Sequence, residues 1–252
     1  MHKPVLCAVR NRRPSTSPTR LPRVEIDARS VLDLGCGPGH LSAVLQSRWP
    51  EAHVLGVDAS AAMIERARSQ ATATTRYELG DLRSWTPPAA ADVVVSNATL
   101  QWIPDHLDLL PRLAGFVAPG GALAFSVPSN HDAPMNRLLR EICGREPYVS
   151  HTTDLAQGRS AHETSTYLEV LAGLGWKVDA WETTYVHALP GKDPVLRWVT
   201  AAGARPVLDA LPDEVRPAFL QEYSAALRQA YPRRPYGTLL PFHRIFVVAT
   251  RG

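Results

Sequence analysis

The chain has 252 residues, 45% of them apolar and 20% charged, with 27 basic against 24 acidic side chains and a net charge of +3. That apolar fraction excludes a disordered chain, and the length suits one large α/β domain with a small inserted cap. A run of about 18 apolar residues, the mark of a membrane span, is missing, and a charge of +3 is too small to argue for nucleic acid.

Residues 1–23 form a basic tail rich in proline and arginine, with Arg10, Arg12, Arg13, Arg20 and Arg23 and no acid. Its composition predicts disorder. Residues 31–34 read as a short apolar strand, followed by the glycine-rich stretch from Gly35 to Gly39 and a helix to Arg48. Residues 54–57 are a second strand, closed by Asp58; Ser60 then suits a helix N-cap, with Met63, Ile64 and Ala67 on one face. Residues 76–79 are a third strand and 92–97 a fourth, buried one built on Val93, Val94 and Val95. Asp105 is placed to cap a helix carrying Leu107, Leu110 and Leu113. Residues 122–127 are a fifth strand after the Pro119-Gly120-Gly121 turn.

Helical patterns follow at 135–143 and 164–173, a strand from 176, a mostly helical stretch over 191–232, and a final strand at 245–250. Strands alternating with helices predict a doubly wound parallel sheet. The body would be residues 24–252, with cap segments near 129–162 and 190–240. Cys7, Cys36 and Cys143 are odd in number and lack metal or disulfide spacing, so no metal is expected and a reducing cytoplasm is the natural setting.

The loop Gly35-Cys36-Gly37-Pro38-Gly39 departs from the dinucleotide fingerprint, because its third glycine comes one residue early. Asp33 precedes it, Asp58 ends the second strand and Asp81 follows the third. Three carboxylates at neighbouring strand ends would repel a pyrophosphate. They suit a cationic ligand with a ribose, whose hydroxyls Asp58 can accept, and an adenine, whose amine Asp81 can accept.

DLGCGPG, GVDAS and GDL, then DVVVSN and APGGAL, resemble class I S-adenosylmethionine-dependent methyltransferases over residues 31–127. The resemblance implies a Rossmann-like sheet of seven strands with the last antiparallel, and S-adenosylmethionine as cofactor. It implies that Asp33, Gly35, Gly37 and Gly39 hold the amino-acid end, and Asp58 with Ala59 the ribose. Met63 would pack near the cofactor, Asp81 and Leu82 would flank the adenine, and Asn97 would face the methionine moiety. Asn97-Ala-Thr-Leu-Gln-Trp102, the stretch from Pro104 to Leu110, Gly203 to Leu211, and Leu239 to Phe246 are similar to trans-aconitate 2-methyltransferases. That family opens with a helix folding over the cofactor, which residues 1–22 do not resemble, so weaker cofactor binding is expected.

A carboxylate acceptor is already ionised at pH 7 and needs no general base; it needs position and cationic partners. The candidates are Gln101 and Trp102 beside the fourth strand, Arg205 and Arg244, and Tyr185 and His187. Cys36 reads as a small buried filler and His106 as helix surface. The resemblance implies a small polycarboxylate such as trans-aconitate as acceptor, and the expected protein is a monomer or weak homodimer with no nucleic-acid or membrane partner. The alternatives are methylation at O, N or C of another metabolite, or a cofactor-binding homologue impaired in catalysis.

Overall fold

Short valine-rich runs and the helices between them build one mixed sheet. The computed structural model describes residues 24–153, 155, 161–201 and 203–252. The predicted basic tail and part of the first predicted cap segment lie outside these residues. The elements are β1 (Ser30–Leu34), α1 (His40–Arg48), β2 (His53–Asp58), α2 (Ala61–Arg68), β3 (Thr75–Leu79) and β4 (Ala91–Asn97). A single 3-10 turn, Leu100–Trp102, leads to α3 (His106–Ala114), β5 (Val117–Pro128), α4 (Pro134–Cys143), α5 (Val149–Thr152) and α6 (Thr164–Gly173). Then come β6 (Lys177–Leu189), α7 (Pro194–Thr200), α8 (Arg205–Ala210), α9 (Arg216–Ala230), the short β7 (Arg233–Arg234) and β8 (Gly237–Thr250).

The strand order is β3-β2-β1-β4-β5-β8-β6, with β7 paired to β8 alone. β1 to β5 run parallel, and β8 lies antiparallel between β5 and β6. This is the expected seven-strand path with one antiparallel member, plus a two-residue hairpin strand that the sequence pattern did not show. The order reverses between β1 and β4, where open α/β sheets place their ligands.

β4 explains why its sequence reads as an unbroken apolar run. Val93 and Val95 pack with Val31, Leu45 and Trp49 on one face, and Val94 packs with Leu32, Leu110, Leu113 and Tyr167 on the other. A strand covered on both faces has no solvent side to mark with polar residues. Ser60 caps α2 as predicted, accepting from the Met63 N–H. Asp105 does not cap α3 with its side chain; it takes a left-handed conformation at φ 53° instead. His106 is a correction as well. It is buried, and its Nε2 pairs with the Tyr167 hydroxyl at 2.8 Å across to α6.

A second apolar cluster gathers helices from beyond β5 and β6. It holds Met135 and Leu139 of α4, Val195 and Val199 of α7, Val207 of α8, and Phe219, Tyr223 and Leu227 of α9. The Tyr223 hydroxyl donates to the Met135 carbonyl, and the Met135 N–H donates to the Tyr231 hydroxyl. β6 enters this cluster at its carboxyl end with Leu189 and β8 leaves it at its amino end with Leu240, so the helices stand at one edge of the sheet. Asn130 marks the crossing: its amide donates to the His243 carbonyl and its oxygen accepts the His243 N–H. Helix α6 stays outside this group and packs Tyr167 and Leu171 into the sheet core. No helix among the described residues is long and apolar enough to cross a membrane.

Candidate cofactor and acceptor site

The carboxyl ends of β1 and β2 are tied together by their own backbone. The N–H groups of Gly35 and Cys36 both donate to the Val57 carbonyl, at 2.7 and 3.0 Å. Gly35 and Gly39 stand at φ 72° and 86°, and an added Cβ would strike Thr99 or Tyr77. Glycine is therefore required twice for the turn and for close packing. A Cβ on Gly37 would meet nothing within 4 Å, so the middle of the loop faces open space.

Asp58 organises that space. Its Oδ2 accepts the Gly37 N–H and its Oδ1 the Ser60 N–H, both at 2.9 Å. Each carboxylate oxygen keeps a further lone pair, which suits a pair of ribose hydroxyls. Asp33 lies beneath the loop with 0% exposure. Its Oδ2 accepts from the Ser42 hydroxyl at 2.6 Å, while Oδ1 is buried with no partner among the described residues. Burial raises its pKa to about 7. An orphaned acceptor under an open glycine loop fits the ammonium group of the cofactor implied by the resemblance, so the residues present suit that molecule.

Asp81 is already engaged by its neighbour. Arg83 donates to it from its backbone and from its guanidinium, at 2.5 to 3.1 Å. This fork occupies the carboxylate predicted to receive an adenine amine, and its hydrogen bonds pull the pKa down to about 2. Arg83, two residues on, was visible in the sequence but gave no signal of that pairing. Leu82 is buried in the main apolar cluster, Met63 is half-buried at the start of α2, and Ala59 is exposed. Cys36 is buried beside Ile64, Ala67 and Tyr77, a filler as expected.

Beyond the switch point the chemistry changes sign. Asn97 ends β4, Ser126 lies beside it on β5, and Arg244 reaches across from β8. Arg244 Nη2 donates to Asn97 Oδ1 at 2.7 Å and to Ser126 Oγ at 2.8 Å. Arg244 is 1% exposed, and its Nε has no partner among the described residues. No carboxylate pairs with it among those residues; burial pushes its pKa down to about 10, and only the Tyr185 hydroxyl counters the shift. It therefore remains a cation at pH 7. Ser126 escaped the sequence reading, although a hydroxyl among the apolar residues of β5 was its signal.

The other predicted acceptor residues divide. Tyr185 and His187 share one face of β6; their rings stack at 6.3 Å, and His187 lies 4.9 Å from Trp198 of α7. Gln101 Nε2 donates to the Ala98 carbonyl, which leaves Oε1 buried and unpaired among the described residues. Trp102 is 45% exposed. Arg205 is not brought to this edge. Its side chain is 68% exposed and pairs with Asp209 one turn along α8, because Val207 takes the inward face of that short helix. Among the described residues no group of three His, Cys, Asp or Glu could hold a metal ion.

A family model described as a methyltransferase domain matches residues 31–121. The chain is 44% identical to a trans-aconitate 2-methyltransferase of Streptomyces avermitilis over 236 residues, 91% of this chain and 88% of that one. It is 46% identical to one of Streptomyces coelicolor over 240 residues, covering 92% and 79%. One of Mycobacterium tuberculosis is 43% identical, covering 89% and 86%. Among solved structures, the YcgJ protein of Bacillus subtilis shares the fold with a TM-score of 0.57 at 16% identity, covering 89% of this chain and 92% of that one. A methyltransferase-like protein of Bacillus halodurans gives 0.54 at 16% identity, covering 90% and 94%.

Proposed function

The chain belongs to the trans-aconitate 2-methyltransferase family of class I S-adenosylmethionine-dependent methyltransferases, and we propose that it esterifies one carboxylate of trans-aconitate or a similar small polycarboxylate. Bound S-adenosylmethionine supplies an electrophilic methyl group. Asp33 Oδ1 would accept from its ammonium, Gly37 would leave room for it, Asp58 would accept from the ribose, and Met63 and Leu82 would give the adenine apolar contacts. The pairing of Arg83 with Asp81 leaves the adenine amine to other acceptors.

The observation that carries the acceptor assignment is Arg244: a buried guanidinium with no carboxylate partner among the described residues, three strands from the glycine loop's open centre. A buried unpaired charge is costly, and an acidic ligand offsets that cost. Tyr185 and His187 extend the same wall. The acceptor carboxylate arrives ionised, so this chain supplies position and charge and no base. The helices of the second cluster form the cap over this edge, in a methyltransferase domain of residues 24–252.

The deciding experiment is a methyl-transfer assay with trans-aconitate, other di- and tricarboxylates, and neutral alcohols and amines. Monomethyl esters are expected from the acids alone. Turnover confined to the neutral acceptors would overturn the assignment.

A further inference from the structure

The amide of Asn97 has a direction, and the direction defines a task. Its Oδ1 accepts from Ser126 Oγ at 2.8 Å and from Arg244 Nη2 at 2.7 Å. A guanidinium has donors and no acceptor, so the amide atom that faces it must be the oxygen. Arg244 Nη2 also donates to Ser126 Oγ, which leaves the hydroxyl proton free to go to Asn97. Three side chains from three strands thus close a ring of donors on one oxygen. The consequence is at the other end of the amide. Asn97 Nδ2 keeps both protons, has no partner among the described residues, and belongs to a half-buried side chain at the carboxyl end of β4. Immediately after it, Ala98 turns the chain at φ 55°, and Thr99 folds back to donate to the Gly35 carbonyl. Asn97 therefore stands between the glycine loop and Arg244.

We propose that Asn97 is a specificity-determining donor, its amide N–H holding the oxygen of the reacting carboxylate that does not attack, and that Arg244 and Ser126 are positioning residues that fix this orientation. The proposal rests on the carboxylate reading above. It adds a division of labour. A carboxylate loses its negative charge as it becomes an ester, so a full cation on the reacting group would stabilise the free acid more than the transition state. A neutral amide donor imposes less of that penalty. With Nη2 committed to Asn97 and Ser126, the charge of Arg244 serves a second, unreactive carboxylate of the same molecule.

The test uses the full chain, labelled with nitrogen-15. The Asn97 side-chain amide pair is identified by its loss in Asn97→Asp. Without acceptor, its two protons are expected to be resolved, and their exchange with water to rise at least tenfold in Arg244→Met and in Ser126→Ala. Adding trans-aconitate is expected to move one of them downfield. Asn97→Asp keeps the side-chain shape and gives Arg244 a charge partner. Its Tm is expected to hold or rise, while kcat/KM for the acid falls at least 100-fold and cofactor affinity stays within threefold.

Exchange unchanged by both replacements would overturn the proposal. So would an Asn97→Asp enzyme within threefold of wild type, or one that loses cofactor affinity with an unaltered acceptor KM. If the wild-type protein turns over none of the acids, it is the carboxylate reading that fails, and the acceptor-free exchange still decides the orientation.

Discussion

Over β1, β2 and β3 the carboxyl edge carries Asp33, Asp58 and Asp81, whereas over β4, β5 and β8 it carries Asn97, Ser126 and Arg244. One sheet thus presents an acidic stretch and a cationic stretch on either side of its switch point. The two are also built differently. The acids come from the ends of neighbouring strands and the loop after β3, and their partners are near in sequence: Ser42 for Asp33 (whose Oδ1 stays unpaired among the described residues), the Gly37 and Ser60 N–H groups for Asp58, and Arg83 for Asp81. The cation comes from a strand 147 positions beyond Asn97 and is satisfied only in part. A sulfonium cofactor and a carboxylate acceptor need these opposite surroundings within reach of each other.

The largest effect that would separate the two stretches is expected from Arg244→Met. Loss of a charge-assisted partner of about 3 kcal/mol, roughly 100-fold, should appear in the KM for trans-aconitate, with cofactor affinity by calorimetry within about twofold. If the KM rises and cofactor affinity falls together, the stretches are not independent. Asp58→Ala probes the opposite side, with a loss of about 1–3 kcal/mol in cofactor affinity and an unaltered acceptor KM. A raised KM there would blur the boundary in the other direction.

A subtler contrast lies in pH. Asp33 is held near pKa 7 in the cofactor-free fold, against an ordinary value of 3.8. Between about pH 4 and pH 7 the folded chain therefore binds the extra proton, and Asp33 makes the fold less stable as pH rises through that window. Asn at this position cannot ionise. Asp33→Asn is expected to melt with wild type near pH 4 and above it at pH 8, without cofactor. An equal difference in Tm at both pH values would show that Asp33 does not titrate there. The smallest effect is expected from Arg205→Ala: at most about 0.5 kcal/mol of stability and an unchanged KM, because an exposed pair on a short helix contributes little. A KM that rises would mean that α8 reaches the acceptor stretch.

The same division governs what could be read from the sequence. The glycine loop, Asp33, Asp58 and the Ser60 cap are local features, fixed by turn geometry and by strand ends within a few residues, and the strands β1 to β5 followed from apolar runs between breakers. The site beyond the switch point was legible only as a set of residue types. Nothing near Arg244 in the sequence says that its partners are Asn97 and Ser126 and that no acid accompanies it, because the pairing of β8 with β5 decides this. A tertiary contact accounts for the misreading of His106, which Tyr167 draws into the interior, while local pairs hold two predicted site residues, Asp81 with Arg83 and Arg205 with Asp209.

The placement of β8 between β5 and β6 has a temporal side. During synthesis, β1 to β5 emerge in the order that lets each find a neighbour already made, so the acidic stretch and its glycine loop can assemble early. β6 emerges with no partner to pair with until β8 follows, since among the described residues that strand is its one neighbour in the sheet. The guanidinium proposed to draw the acceptor therefore arrives on the same strand that closes the sheet. The strand order thus lets the proposed cofactor side pair as it emerges, whereas the proposed acceptor side waits for the last strand.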